Sequence, residues 1–119
     1  MLIGISQNVQ IIKERKERRD TLDQAWYDFF DSIEMEAIPI PNQISDIDRW
    51  LDNRAIDAIL LSGGNNIATK DSLIDIAPER DSIEASLLNW SINNNKPVVG
   101  VCRGLQFLNY FFGGSIRAI

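Results

Sequence analysis

Cys102 is the only cysteine in the chain, and it stands in Gly100-Val101-Cys102-Arg103-Gly104-Leu105-Gln106, between an apolar run that reads as a buried strand and a segment that reads as a helix. A thiol carried on such a bend is equipped for nucleophilic attack on a carbonyl carbon. The bend holds its central residue in a strained backbone conformation, and its neighbours must be small for the chain to fold back; Gly100 and Gly104 meet that requirement. It also sets the sulfur at the N-terminus of the following helix, where unpaired amides and the helix dipole favour an anion. The amide of Arg103 is placed to stabilise an oxyanion, and a second donor from Gly63 or Gly64 completes the pair, at about 3 to 4 kcal/mol per donor. Acyl transfer also needs a group that takes and returns a proton, and the 119 residues include no histidine. The residues present therefore make half a site, a nucleophile without its base. A lone cysteine at a strand end is commonly a small buried hydrophobe; the paired glycines, the helix behind them and a second Gly-Gly strand end favour the nucleophile.

For these groups to meet, two strand ends must lie side by side. Met1 to Ser6 reads as a first strand. Leu22, Ala25, Trp26, Phe29, Phe30 and Ile33 recur at steps of three and four, which predicts a helix over 21–33 with that stripe in the core. The mixed charges of Lys13 to Arg19 read as a solvated approach to this helix. Glu36 to Pro41 predicts a second strand, and Ile44, Ile47, Trp50 and Leu51 a helix begun near Ser45. A third strand is predicted over 55–61, ending at Ser62-Gly63-Gly64, because a continuous apolar run closed by glycine suits a strand buried on both faces. A long loop over 65–78 precedes a helix over 81–93 whose Ile83, Leu87, Leu88 and Trp90 point inward, with Asn93-Asn94-Asn95 as its polar end. Residues 97–101 form the fourth strand and 103–112 the last helix. Strands alternating with helices predict a three-layer α/β fold, a mostly parallel, flavodoxin-like sheet with helices on both faces. Ligands bind such sheets at the carboxyl ends of the strands, where Gly63-Gly64 and Cys102-Arg103 both fall.

Composition narrows the class. With 45% apolar and 24% charged residues, 119 residues make one soluble domain with a modest core. A net charge of −5 argues against nucleic acid and anionic membranes as partners, since both need a basic face. One sulfur with no imidazole makes neither an internal disulfide nor a zinc site, so no metal and no cofactor is expected. The N-terminus lacks the basic leader and apolar length of a signal peptide or membrane span, which places the expected location in the cytoplasm.

Pro97 to Gln106, followed by Leu108-Asn109 and Gly113-Gly114, resembles the nucleophile region of the class I glutamine amidotransferase superfamily, within it the γ-glutamyl hydrolase-like branch known as peptidase C26. Leu60 to Gly64 is similar to that family's oxyanion strand end, and Arg80-Asp81 with Glu84 to the segment leading into the helix before the nucleophile strand. The resemblance implies a cysteine hydrolase of γ-glutamyl amides: Cys102 as nucleophile, Gly64 and Arg103 as oxyanion donors, and Gly63 and Gln106 as contacts to the glutamyl group. Gln106 reads equally as a cap or a solvent-facing position, and Arg103 as a surface residue or a partner for a carboxylate. Gly4 to Gln7 with Glu17 to Asp20 and Trp26 resembles a branch tied to bacterial surface glycans, the γ-glutamyl-CDP-amidate hydrolases. In that branch Arg19, near the end of the first strand, would meet substrate; an exposed arginine at a helix start is the plainer reading.

Family members continue past the Gly-Gly for about as many residues again and there carry the histidine and glutamate of the triad. The resemblance thus implies that residues 1–119 are the N-terminal half of one such domain, cut after the helix that follows the nucleophile, with Ser115 to Ile119 opening the next strand or loop. Little or no activity is expected of it alone, and a C-terminal half or second polypeptide would supply the missing groups. An unpaired sheet edge and half-covered Leu105, Leu108, Phe111 and Phe112 would make it prone to associate. Two other functions fit the same residues: a module binding a small anion or nucleotide at the helix N-terminus, and a fragment that docks on a partner without catalysis.

Overall fold

The structure, a computed structural model, describes residues 1–69 and 74–116. Along the chain its elements are β1 Leu2–Ser6, β2 Asn8–Ile12, β3 Glu17–Thr21, α1 Ala25–Ser32, β4 Glu36–Ile40, α2 Ile47–Asn53, β5 Ala58–Leu61, α3 Pro78–Asn94, β6 Val98–Gly100 and α4 Arg103–Phe111. Four strands form a parallel sheet in the order β4-β1-β5-β6, with Ile3 opposite Ala37 and Ala58, and Leu61 opposite Gly100. Successive residues of a strand face opposite ways, so β1 and β5 serve two cores at once. Ile3, Ile5, Ala58 and Leu60 pack with Phe30 of α1 on one face. Ile59 and Leu61 pack on the other with Leu51 of α2, Leu87 and Leu88 of α3 and Phe107 of α4. The chain therefore adopts the expected flavodoxin-like α/β arrangement, with α1 on one face and the other three helices on the opposite one.

Local chemistry moves several element ends from their expected places. The Asp46 carboxylate accepts the Arg49 N–H at 3.1 Å, so α2 starts at Ile47 and not near Ser45. α3 starts earlier than expected because Pro78 suits a first helical turn, whose N–H groups lack intrahelical acceptors in any case. It ends at the asparagine run, with Asn95 left-handed at φ 53°. Ala55 also takes a positive φ, in the turn ahead of β5, so that strand starts at Ala58.

The largest departure is in residues 8–21. Lys13 to Arg19 are not an approach to a helix; β2 and β3 form an antiparallel hairpin, with Gln10 opposite Arg19. Thr21 ends β3, and the helix expected from that residue starts only at Ala25, whose N–H is held by the Asp23 carboxylate at 2.9 Å. The apolar stripe is correspondingly less buried than its spacing predicts: Phe30 is in the core and Leu22 and Trp26 pack against it, but Phe29 and Ile33 are exposed. The hairpin is held from outside itself. Arg18 makes a bidentate pair with Glu79 of α3, at 2.8 and 2.6 Å, and the Asp20 carboxylate accepts the N–H and side-chain amide of Asn42. Part of the loop over 65–78, residues 70–73, and the end of the expected strand or loop at Ser115 to Ile119, residues 117–119, lie outside the described residues.

Candidate active site

β6 stops at Gly100, and the Val101 N–H still bonds the Leu61 carbonyl at 3.0 Å, extending the ladder by one step. Cys102 then turns the chain, with φ 53° and ψ −111°, and serves as N-cap of α4. This region of backbone space is nearly reserved for glycine, and a side chain held there costs about 1–3 kcal/mol. Packing enforces it. A Cβ on Gly100 would lie 2.6 Å from the Gly104 carbonyl carbon, and one on Gly104 2.8 Å from the Leu61 carbonyl carbon. The start of α4 thus lies against two strand ends with no room for side chains between them. The Gly104 N–H donates to the Val101 carbonyl at 2.9 Å and the Gln106 N–H to the Cys102 carbonyl at 3.2 Å, closing the first turn over the cysteine. Cys102 itself is exposed.

Across from it lies the end of β5. A Cβ on Gly63 would sit 3.6 Å from that of Cys102, so the two glycine-marked strand ends do converge. Gly64 has φ 104° and faces Asn8, whose side-chain carbonyl accepts the Asn65 N–H at 3.1 Å. Ser62 is locked to β1 by its N–H on Ser6 Oγ at 3.0 Å and its hydroxyl on the Ser6 carbonyl at 2.5 Å. Beside these strand ends opens a cleft of about 570 Å³, lined by Gly63, Gly64 and Cys102 together with Asn8, Thr21 and Trp26. The hairpin and the start of α1 therefore contribute to the cleft lining, which the sequence pattern did not reveal. Gln106 is exposed on α4 and does not line this cleft. Arg19 does not stand near the end of the first strand; it lies within β3, exposed and paired with Glu17, and it does not line the cleft either.

Behind the cleft is a cluster of buried charges. Arg80 and Glu84 of α3 are both 0% exposed and Arg103 is 3% exposed, so Arg103 is not a surface residue. Arg103 Nη1 donates to both Glu84 oxygens, at 2.8 and 2.6 Å, and its Nη2 to the Asp81 carboxylate, while its Nε is buried without an acceptor. Arg80 donates through Nε to Glu84 at 3.0 Å, through Nη2 to the Ser62 carbonyl at 2.7 Å and through Nη1 to Asn65 Oδ1 at 3.3 Å. Burial pushes the Glu84 carboxyl above its ordinary range and the Arg80 guanidinium below its own, each disfavouring the charged form, while the opposite charges pull back. Sequence reading set Arg80, Asp81 and Glu84 apart as a familiar segment but did not connect them to Arg103. Glu84 stands three residues after Asp81 and four after Arg80, and on a helix that spacing was the available signal for a shared face.

A family model for peptidase C26 matches residues 1–118. The chain belongs to the peptidase C26 family. It is 32% identical over 101 residues to a putative glutamine amidotransferase-like protein of Lactococcus lactis subsp. cremoris, covering 78% of this chain and 53% of the relative. It is 27% identical over 117 residues to a gamma-glutamyl-CDP-amidate hydrolase of Campylobacter jejuni, covering 98% of this chain and 58% of that protein. Protein NtpR of Enterococcus hirae is 37% identical over 68 residues, 51% of this chain and 28% of its own length. The chain thus spans about half the length of the curated relatives it matches. Among the described residues of this C26 chain, no group of three His, Cys, Asp or Glu could hold a metal ion, and no helix is long and apolar enough to cross a membrane.

Proposed function

We propose that this chain carries the nucleophile of a cysteine hydrolase acting on γ-glutamyl amides. The observation that carries the reading is the backbone of Cys102: a strained, exposed residue at a strand-to-helix turn, beside Gly63 on the lining of a cleft. Such strain persists only where its surroundings over-determine it, and here it presents a thiol beside the amides of a helix start. The family relationship supports the choice of reaction. In the proposed step the Cys102 sulfur attacks the γ-carbonyl carbon, with the amides of Gly64 and Arg103 bonding the developing oxyanion. The C–N bond then breaks, the thiol proton leaves on the amine, and water hydrolyses the γ-glutamyl thioester to restore the thiol. Gly63 is the proposed substrate contact on the cleft lining; Gln106 on α4 and Arg19 on the hairpin, which do not line the cleft, are proposed to meet the parts of the substrate that extend out of it. Because the 119 residues contain no histidine, the proton transfers fall to a histidine and glutamate on a C-terminal half or a second polypeptide.

Labelling with a glutamine-analogue electrophile tests this, on residues 1–119 and on the same residues joined to the C-terminal half of a C26 relative. Stoichiometric labelling of the joined form, lost in Cys102→Ala and weak in residues 1–119 alone, is the expected result. An unlabelled thiol in both forms overturns the hydrolase reading and leaves the anion-binding or docking alternatives.

A further inference from the structure

The β5–β6 ladder ends just before the cleft begins, with Leu61 opposite Gly100 and the Val101 N–H on the Leu61 carbonyl. Beyond that point no rung between the two strands holds Ser62–Asn65 at a fixed distance from Cys102–Arg103 among the described residues. Side chains of α3 take over. Arg80 grips the first loop through the Ser62 carbonyl and Asn65, Arg103 belongs to the turn itself, and Glu84 bonds both guanidiniums. Asp81 reaches only Arg103 of the two.

We propose that Glu84 is a positioning residue, whose buried carboxylate couples the Ser62–Asn65 loop to the Cys102–Arg103 turn so that the two strand ends lining the cleft move as one body. Stability alone does not account for a charged cluster at this place. Fully buried ion pairs are commonly matched or bettered by apolar side chains of similar volume, because desolvation offsets their attraction. Elsewhere along its inward face α3 uses such side chains, Ile83, Leu87 and Leu88. What a guanidinium fork on a carboxylate adds is direction, since the planar donors accept only a narrow range of geometries. Glu84 bonds one guanidinium that belongs to the turn, Arg103, and one on its own helix, Arg80, that reaches the Ser62–Asn65 loop. The inference deepens the proposed hydrolase site, but the coupling itself is measurable without any chemistry.

Amide hydrogen exchange on the protein as expressed from its gene reads it. Ser62 and Asn65 report the loop through bonds of 3.0 and 3.1 Å, and Gly104 and Gln106 report the turn through bonds of 2.9 and 3.2 Å. In Glu84→Gln, all four amides are expected to exchange faster together, by about tenfold or more, while Ile59 in β5 changes little. Leu87→Ala, a cavity in the same helix, serves as the destabilised control in which the four amides show no such joint change. A triple variant, Arg80→Met with Glu84→Leu and Arg103→Met, separates packing from positioning. Its urea midpoint is expected near that of the parent, its thiol still reacts with iodoacetamide, and in the form joined to the C-terminal half its labelling by the glutamine analogue falls by about tenfold or more. Uniform acceleration of all amides in Glu84→Gln, or acceleration of one loop only, overturns the proposal. So does a triple variant of parental stability with parental exchange and labelling. If neither residues 1–119 nor their joined form is labelled by the analogue, the hydrolase reading fails, and the exchange pattern still decides the coupling.

Discussion

Cys102 holds a backbone conformation that a glycine would adopt freely, and the strain should appear in stability. Cys102→Gly relieves about 1–3 kcal/mol of strain and loses about 0.5–1 kcal/mol to the freer unfolded chain. Cys102→Ala relieves nothing, so the glycine variant is expected to be about 1 kcal/mol the more stable of the two in urea unfolding. Equal midpoints would mean that the turn is not strained. Gly104→Ala is the complementary case. Its methyl group would press on the Leu61 carbonyl, and overpacking of this kind costs about 1–3 kcal/mol. A parental urea midpoint for Gly104→Ala would show that α4 can move away from the strands. Both glycines of the bend were legible from spacing alone. The ionic partners of Arg103 were not, because Glu84 stands 19 residues away and nothing local joins them.

Among the elements, the β2–β3 hairpin depends least on its own residues. Glu17 to Thr21 carry no apolar alternation, and the strand exists because Asn8–Ile12 pair with it and because Arg18, Asp20 and Asn8 tie it to other elements. The Arg18 guanidinium is raised by its hydrogen bond with Glu79. The pair is partly exposed, so Arg18→Ala is expected to cost less than about 1 kcal/mol of global stability. Its effect should be local, with faster exchange of the β2 and β3 amides and none in β1. A loss of several kcal/mol would instead make the hairpin part of the folding core. The α2 cap gives a conventional scale: Asp46→Ala should lower stability by about 1 kcal/mol in the same measurement.

Taken as a whole, the molecule presents one uneven flank. Among the described residues β6 is hydrogen-bonded on one side only. Val99 on this strand is 57% exposed, and Leu105 and Phe112 at the two ends of α4 are 63% and 68% exposed. An unpaired strand next to exposed apolar side chains is a template for another chain. Residues 1–119 are therefore expected to associate with rising concentration in sedimentation velocity runs. Val99→Lys, which sets a charge on the edge, should shift the distribution toward monomer. Unchanged sedimentation of the variant would place the association elsewhere.

Apolar periodicity, glycine spacing and the chain order of strands and helices were enough to determine the layered parallel sheet and the meeting of two strand ends. These properties are local, since a side chain two or four residues along faces the same way wherever the element is packed. Leu60 to Gly64 and Pro97 to Gly104 carried the meeting of the two strand ends. The hairpin wall of the cleft and the Arg80–Glu84–Arg103 cluster were decided only by tertiary structure. A polar strand is stable only with its partner beside it, and a buried charge only with its counter-charges around it, so both depend on residues that the fold alone brings together.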